Sequence, residues 1–277
     1  MLNIDLHTHT SRSDGLFSPE ELVRRAHMNG AQALAVTDHD MVKGVAQARQ
    51  ACSQFGLHFV PGVEISITWN GRSVHIVGLQ VDENSAEFIG NLDANRNGRV
   101  ERAQEISKKL EDLGIYGAFE GVLAQVADPI VISRKHFSRF LVDAKVCSTP
   151  TEAFDRFLKL GRPAYVFHEW TTLEKALQWI KDAGGIAVIA HPGRYEISET
   201  ALLRLFDEFK EMGGTGIEVV TGSHARARYP YFAKLARRYG FLASAGSDFH
   251  APGENYLDVG ILPDLPSGLT PVWHDWF

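Results

Sequence analysis

Short apolar segments alternate along the chain with longer stretches whose apolar residues recur at helical spacing. This alternation predicts βα units and a mainly parallel sheet. Strands are expected at residues 3–6, 33–37, 59–64, 74–81, 186–190, 217–220 and 242–247. Several are continuous apolar runs, as in strands buried on both faces. Helices are expected at residues 19–28, 42–55, 173–183, 200–212 and 226–239. The first of these has a start signal: Ser18 as N-cap, Pro19 at the first helical position and Glu21 completing a capping box. Trp69-Asn70-Gly71-Arg72, between β-rich stretches, predicts a hairpin with Asn-Gly at its tip.

Between about residues 84 and 170 the alternation stops. Residues 87–113 read as one long charged helix and residues 135–142 and 151–158 as shorter ones, with loops at Asp128-Pro129 and Gly161-Arg162-Pro163. The expected organisation is therefore an α/β catalytic barrel of residues 1–84 and 171–277, with a helical insertion, 85–170, covering its active-site end. A length of 277 residues is within the usual range of one such barrel.

Hydrophobic residues at 44% and charged residues at 22% fit a soluble protein with a large core. The net charge of -6 argues against a broad basic surface for nucleic acid, though not against a small cationic pocket. No apolar run approaches a membrane span, and Met1 to His7 lacks the basic and apolar regions of a signal peptide. Cys52 and Cys147 stand far apart, which indicates neither a disulfide framework nor a thiolate metal site. A cytoplasmic location is the default expectation, and no protein partner is implied.

The twelve histidines change the picture through their positions. His7-Thr8-His9 follows the first strand, and residues two apart in an extended chain share a face. Asp14 lies in the next loop. Thr37-Asp38-His39 ends the second strand, Glu64 the third, Ala190-His191-Pro192 another, and Ser247-Asp248-Phe249-His250 the last; His75 belongs to the hairpin. In a βα barrel, catalytic residues gather at the C-terminal ends of strands. One His-x-His is ordinarily two strand residues. Six histidines and three carboxylates recurring at corresponding positions are not explained that way.

Nine nitrogen and oxygen donors, with no sulfur, exceed the needs of one ion that keeps an open position. Glu64 can bridge two ions. Asp14, Glu64 and Asp248 bring three negative charges; three divalent ions bring six positive ones and leave a pocket suited to phosphate. Closely spaced metals lower the pKa of a bridging water and stabilise the transition state at phosphorus. The donor set suits Mn²⁺, Fe²⁺ or Zn²⁺, with Mn²⁺ the preferred expectation.

These motifs resemble the polymerase-and-histidinol-phosphatase (PHP) family. They span nearly the whole chain apart from the insertion. The resemblance implies a distorted (β/α)7 barrel and a trinuclear centre: His7, His9, Glu64 and Asp248 on one ion, Glu64, His75 and His191 on the second, and Asp14, His39 and His250 on the third. Gly62-Val63-Glu64-Ile65-Ser66, His75-Ile76-Val77-Gly78-Leu79, Ser133-Arg134-Lys135-His136-Phe137 and His191-Pro192-Gly193-Arg194-Tyr195 are similar to one subgroup. Its members are bacterial 3′,5′-nucleotide bisphosphate phosphatases and related short-RNA 5′-to-3′ exonucleases. The resemblance implies hydrolysis of adenosine 3′,5′-bisphosphate to AMP and phosphate, or release of nucleotides from short 5′-phosphorylated RNA. Glu64 and Asp248 are then expected to be indispensable.

Arg194, three residues after His191, is expected to anchor a second phosphate; a surface salt bridge is its bland reading. Arg134 and His136 are expected as a phosphate clamp, although His136 reads equally well as a helix cap. Ser223 and His224 follow a strand at the mouth, and His224 is the candidate proton donor to the leaving ribose oxygen. Asp38 is expected to support His39 rather than bind metal. Tyr165, Phe167, Trp170 and Tyr195 read as packing residues, Arg99 and Arg102 as a solvated helix face. His27, His58, His168 and His274 have no metal-compatible setting.

Competing classes are a histidinol-phosphate-type phosphatase, an amidohydrolase cleaving a C–N bond, and a PHP-like module without activity. Two-metal amidohydrolases commonly use a carbamylated lysine at a strand end, whereas Lys43, Lys108 and Lys109 fall in helical patterns. An inactive module would have lost ligands.

Overall fold

The computed structural model describes residues 2–276. Among them, seven strands form one sheet in sequence order: β1 (Ile4–Asp5), β2 (Ala33–Val36), β3 (His58–Trp69), β4 (Arg72–Leu79), β5 (Ile186–Ile189), β6 (Gly216–Thr221) and β7 (Leu242–Gly246). β1, β2 and β6 are buried along their whole length. The sheet comes back on itself where β1 runs out. Leu6 N–H donates to Ala245 O at 3.0 Å, Asp248 N–H to His7 O at 2.8 Å and His9 N–H to Phe249 O at 2.9 Å. The result is the seven-stranded α/β barrel expected from the motifs.

The distortion has a local cause. Asn70 and Gly71 take positive φ values of 49° and 70°, the backbone of a two-residue hairpin turn. So short a connection forces β4 antiparallel to β3, and β4 also runs antiparallel to β5. The other pairings are parallel.

The barrel core is aliphatic and aromatic: Ile4, Ile65, Ile76 and Val188 from the strands pack with Phe206, Phe209 and Phe232 from the helices outside. The helix Pro19–Met28 has the expected capping box, Ser18 Oγ accepting from Glu21 N–H at 3.2 Å and Glu21 Oε2 from Ser18 N–H at 2.9 Å. It turns Leu22, Val23 and Ala26 inward, the three-to-four spacing of one helix face.

The chain divides into two compact units, residues up to Asn95 with Trp170 onward, and Arg96–Glu169. The helix read from sequence as residues 87–113 is two, Ala86–Asn95 and Arg99–Glu111. Gly98 between them has φ of 86°, which stops a right-handed helix. The first helix belongs to the barrel unit, where Phe88 and Leu92 join the core. Asn95 at its end donates to Asp40 Oδ1 and Ser66 O, both at 2.9 Å. The Arg96–Glu169 unit has its own core around Ile106, Leu110, Phe137 and Leu141. No helix among the described residues is long and apolar enough to cross a membrane.

Candidate metal centre

His7 and His9 leave β1 with Thr8 between them pinned to the neighbouring strand. Thr8 Oγ1 donates to Ala35 O at 2.6 Å, and Thr37 N–H donates to Thr8 O at 2.9 Å. Both imidazoles are fully buried and converge, Nε2 to Nε2, at 3.1 Å. Asp248 Oδ1 lies 3.1 Å from His9 Nε2 and 3.5 Å from His7 Nε2. Glu64 Oε2 stands 3.3 Å from each. Adjacent donors around an ion bonded at about 2.1 Å are about 3.0 Å apart in an octahedron and about 3.4 Å in a tetrahedron. The spacing of this group matches that of a metal's ligands.

Two further groups adjoin it, His9, Asp14, His39 and His250, and His39, Glu64 and His75. His250 Nε2 is 3.2 Å from Asp14 Oδ1, and His39 Nδ1 is 3.1 Å from Glu64 Oε2. Glu64 Oε1 lies 2.9 Å from both His75 Nδ1 and His191 Nε2. All nine residues singled out from sequence therefore meet in one continuous cluster. The partition differs from the family expectation. His9 faces two groups, and His39 reaches Glu64 as well as Asp14.

Among the described residues, several of these buried atoms have no hydrogen-bond partner: His9 Nδ1, His39 Nδ1, His191 Nδ1 and Glu64 Oε2. Leaving such atoms unsatisfied is costly, and a bound cation removes that cost for those that face it. Electrostatics point the same way. Burial opposes ionisation of Asp14, Glu64 and Asp248, yet the facing imidazoles hold all three well below the usual carboxylate range. Burial likewise opposes charge on His7 and His9. The carboxylates around His7, Glu218 foremost, raise it well above its ordinary value, and the facing Asp248 and Glu64 carboxylates raise His9 to about 10. His39 goes the other way because burial dominates there. In a folded pocket those protons occupy the place of positive charge that divalent ions supply. The residues fit a divalent metal cluster.

Supporting residues fix this geometry. Asp38 accepts from Thr10 N–H at 2.8 Å, Thr10 Oγ1 at 2.6 Å and Ser13 Oγ at 2.6 Å, tying the Asp14 loop to the end of β2. Three residues here escaped the sequence reading as supports. Tyr195 packs as foreseen, but its hydroxyl also accepts from His75 N–H at 3.0 Å and donates to Ala190 O at 2.9 Å. Asp5 Oδ1 accepts from Ser247 N–H and Oδ2 from Gly260 N–H, both at 2.9 Å; burial raises this carboxyl to about 6. Glu218 Oε1 lies 2.6 Å from His7 Nδ1. The available signal for Asp5 and Glu218 was an acid inside an apolar strand.

The substrate-facing expectations divide. Arg194 Nη1 lies 3.6 Å from Asp248 Oδ2 with its side chain 44% exposed, at the rim of the cluster. Ser223 Oγ donates to the same carboxylate oxygen. His224 requires a correction. It is 5% exposed and stacks on Phe232 at 4.9 Å. Burial pushes its pKa down to about 4, which disfavours the cationic form that the proton-donor expectation requires. His136 accepts from Ser133 N–H at 3.0 Å through Nδ1, the capping reading. Arg134 lies in the Arg96–Glu169 unit, its guanidinium 5.8 Å from the Tyr165 ring centre and donating to Leu158 O at 3.3 Å. Lys43 is exposed in the turn before Val45–Phe55, not in that helix.

A PHP domain model matches residues 5–131. A 3′,5′-nucleoside bisphosphate phosphatase of Chromobacterium violaceum is 45% identical over 99% of this chain and 96% of its own length. The chain belongs to the PHP family. The 5′-3′ exoribonuclease Rnm of Escherichia coli is 40% identical to this PHP protein over 98% of it and 93% of the enzyme. Among solved structures, a Chromobacterium violaceum protein described as an amidohydrolase, with bound sulfate and no metal, superposes with a TM-score of 0.95 at 45% identity, covering 98% of this chain and 94% of that one. A Bifidobacterium adolescentis protein assigned as a metal-dependent phosphoesterase gives 0.80 at 27% identity, covering 97% and 92%. This PHP protein is a metal-dependent hydrolase of phosphoric esters.

Proposed function

We propose that this enzyme removes the 3′-phosphate of nucleoside 3′,5′-bisphosphates, converting adenosine 3′,5′-bisphosphate to AMP and phosphate. The observation that carries the reading is full-length identity of 45% to a bisphosphate phosphatase, joined to a complete nine-donor cluster with a guanidinium at its rim. His7, His9, Asp14, His39, Glu64, His75, His191, Asp248 and His250 would hold three divalent ions, Mn²⁺ preferred over Fe²⁺ or Zn²⁺. When bound, such ions lower the pKa of water and stabilise charge developing at phosphorus.

The chain's own residues do the rest. Arg194, half in solvent, holds the phosphate that is not cleaved through a bidentate contact. Ser223 keeps Asp248 oriented. The two free, buried cysteines agree with a cytoplasmic setting.

The second reading is 5′-to-3′ cleavage of short 5′-phosphorylated RNA, favoured by the 40% identity to Rnm. The test is phosphate release from adenosine 3′,5′-bisphosphate by Mn²⁺-loaded protein, beside a short 5′-phosphorylated RNA. AMP and phosphate as the fast products support the phosphatase. Mononucleotides from RNA at a comparable rate make the enzyme dual. Turnover of an aryl phosphate alone leaves the metal site standing and removes the nucleotide assignment.

A further inference from the structure

We infer that Glu218 is a positioning residue that presents His7 and His191 jointly to the metal cluster. It lies on β6, between apolar neighbours, and is 1% exposed. Its two carboxylate oxygens go to two residues of the cluster that follow different strands. Oε1 is 2.6 Å from His7 Nδ1, and Oε2 accepts from the backbone N–H of His191 at 2.6 Å.

Each contact has a distinct effect. A carboxylate on Nδ1 keeps the proton there, so the lone pair of His7 Nε2 faces His9, Glu64 and Asp248. His191 sits at φ 29° and ψ 57°, a sparsely populated conformation for a residue with a side chain. The bond from its N–H to Glu218 helps hold that conformation, in which Nε2 lies 2.9 Å from Glu64 Oε1.

The local fold places Glu218 for this task. The β6–β7 register shifts between Glu218 and Val220, and a bulge of this kind re-aims the side chains beside it. On β7, Gly246 keeps the space clear: a Cβ there would come within 3.0 Å of Glu218 Oε1 and 2.2 Å of His7 Cβ. A buried acid that merely needed donors would not have to draw them from ligands at the ends of two separate strands.

The inference rests on the metal-ligand reading of His7 and His191. Glu218→Gln keeps the volume but turns one acceptor into a donor, so either one contact faces donor to donor or His7 takes the Nε2-protonated tautomer, which cannot bind metal through Nε2. Mn²⁺ affinity measured by titration calorimetry should fall about 10- to 100-fold, while the metal-free variant melts close to the parent. Unchanged affinity in the folded variant overturns the role of Glu218 and leaves the ligand assignment intact. A second measurement uses the unsubstituted protein loaded with Zn²⁺. Imidazole nitrogen–proton correlation spectra should place the His7 proton on Nδ1, and a His7 Nδ1 without a proton overturns the inference. If the unsubstituted protein binds no divalent ion, or His7→Ala binds as well as the parent, the ligand reading itself falls, and the inference with it.

Discussion

Glu64 and His191, 127 positions apart in the chain, meet at 2.9 Å between Oε1 and Nε2. The other oxygen of Glu64, Oε2, has no hydrogen bond, although imidazole nitrogens of His7, His9 and His39 stand 3.1 to 3.3 Å away. That oxygen is placed for a cation. Glu64→Gln should lose bound divalent metal and lower kcat by roughly 10³-fold, while circular dichroism stays that of the parent. Metal content and phosphate release, read together, check this. A fully active, metal-loaded variant would remove Glu64 from the centre.

Arg194 separates recognition from chemistry. Replacing it with alanine removes a charge-assisted contact at the rim of the cluster. KM for a nucleoside bisphosphate should rise by about 10- to 100-fold, while an aryl phosphate is turned over nearly as before. Equal losses on both substrates would end the anchor role.

His224 predicts a stability profile. An unfolded imidazole takes up a proton as pH falls through its ordinary 6.5, whereas the folded one waits until about 4. The stability it contributes is therefore complete above pH 6.5, declines between 6.5 and 4, and declines no further below that. The loss is of order 3 kcal/mol. Urea midpoints of metal-free protein at pH 7.5 and 4.5 should differ less for His224→Phe than for the parent. Identical differences would show that the ring is not buried neutral.

Metal removal should destabilise the fold. Ions that bind only the folded state add about 2.7 kcal/mol when present at about 100 times Kd. Chelation followed by gel filtration should then lower Tm by roughly 5 °C or more. Restoring Mn²⁺ should restore Tm; a Tm indifferent to chelation would argue against tight binding.

Much of the site was legible in the sequence because its donors follow strand ends, and strands show as apolar runs. His7, His39, Glu64, His191 and Asp248 were located that way, and Asn70-Gly71 announced the hairpin. Other features depend on partners far along the chain. Glu218 reads as one acid in an apolar strand until His7, 211 positions away, is seen beside it. His224 was read as a proton donor at the mouth, because the Phe232 ring and close-lying Gly193 that bury it come from other segments. The join at Asn95 was hidden because charged helices on either side of Gly98 share one periodicity.

The inverted strand β4 has a consequence for how the protein is assembled. Glu64 and His75 are 11 positions apart and face each other across a two-residue turn, so that seam can form early from local contacts. His9 and Asp248 are 239 positions apart and meet only when the last strand docks on the first. That step carries the loop-closure entropy of almost the whole chain. A divalent ion held jointly by His7, His9, Glu64 and Asp248 would therefore be captured late. Its arrival would mark the completed circuit of the barrel, and refolding followed by metal uptake would lag refolding followed by hairpin formation.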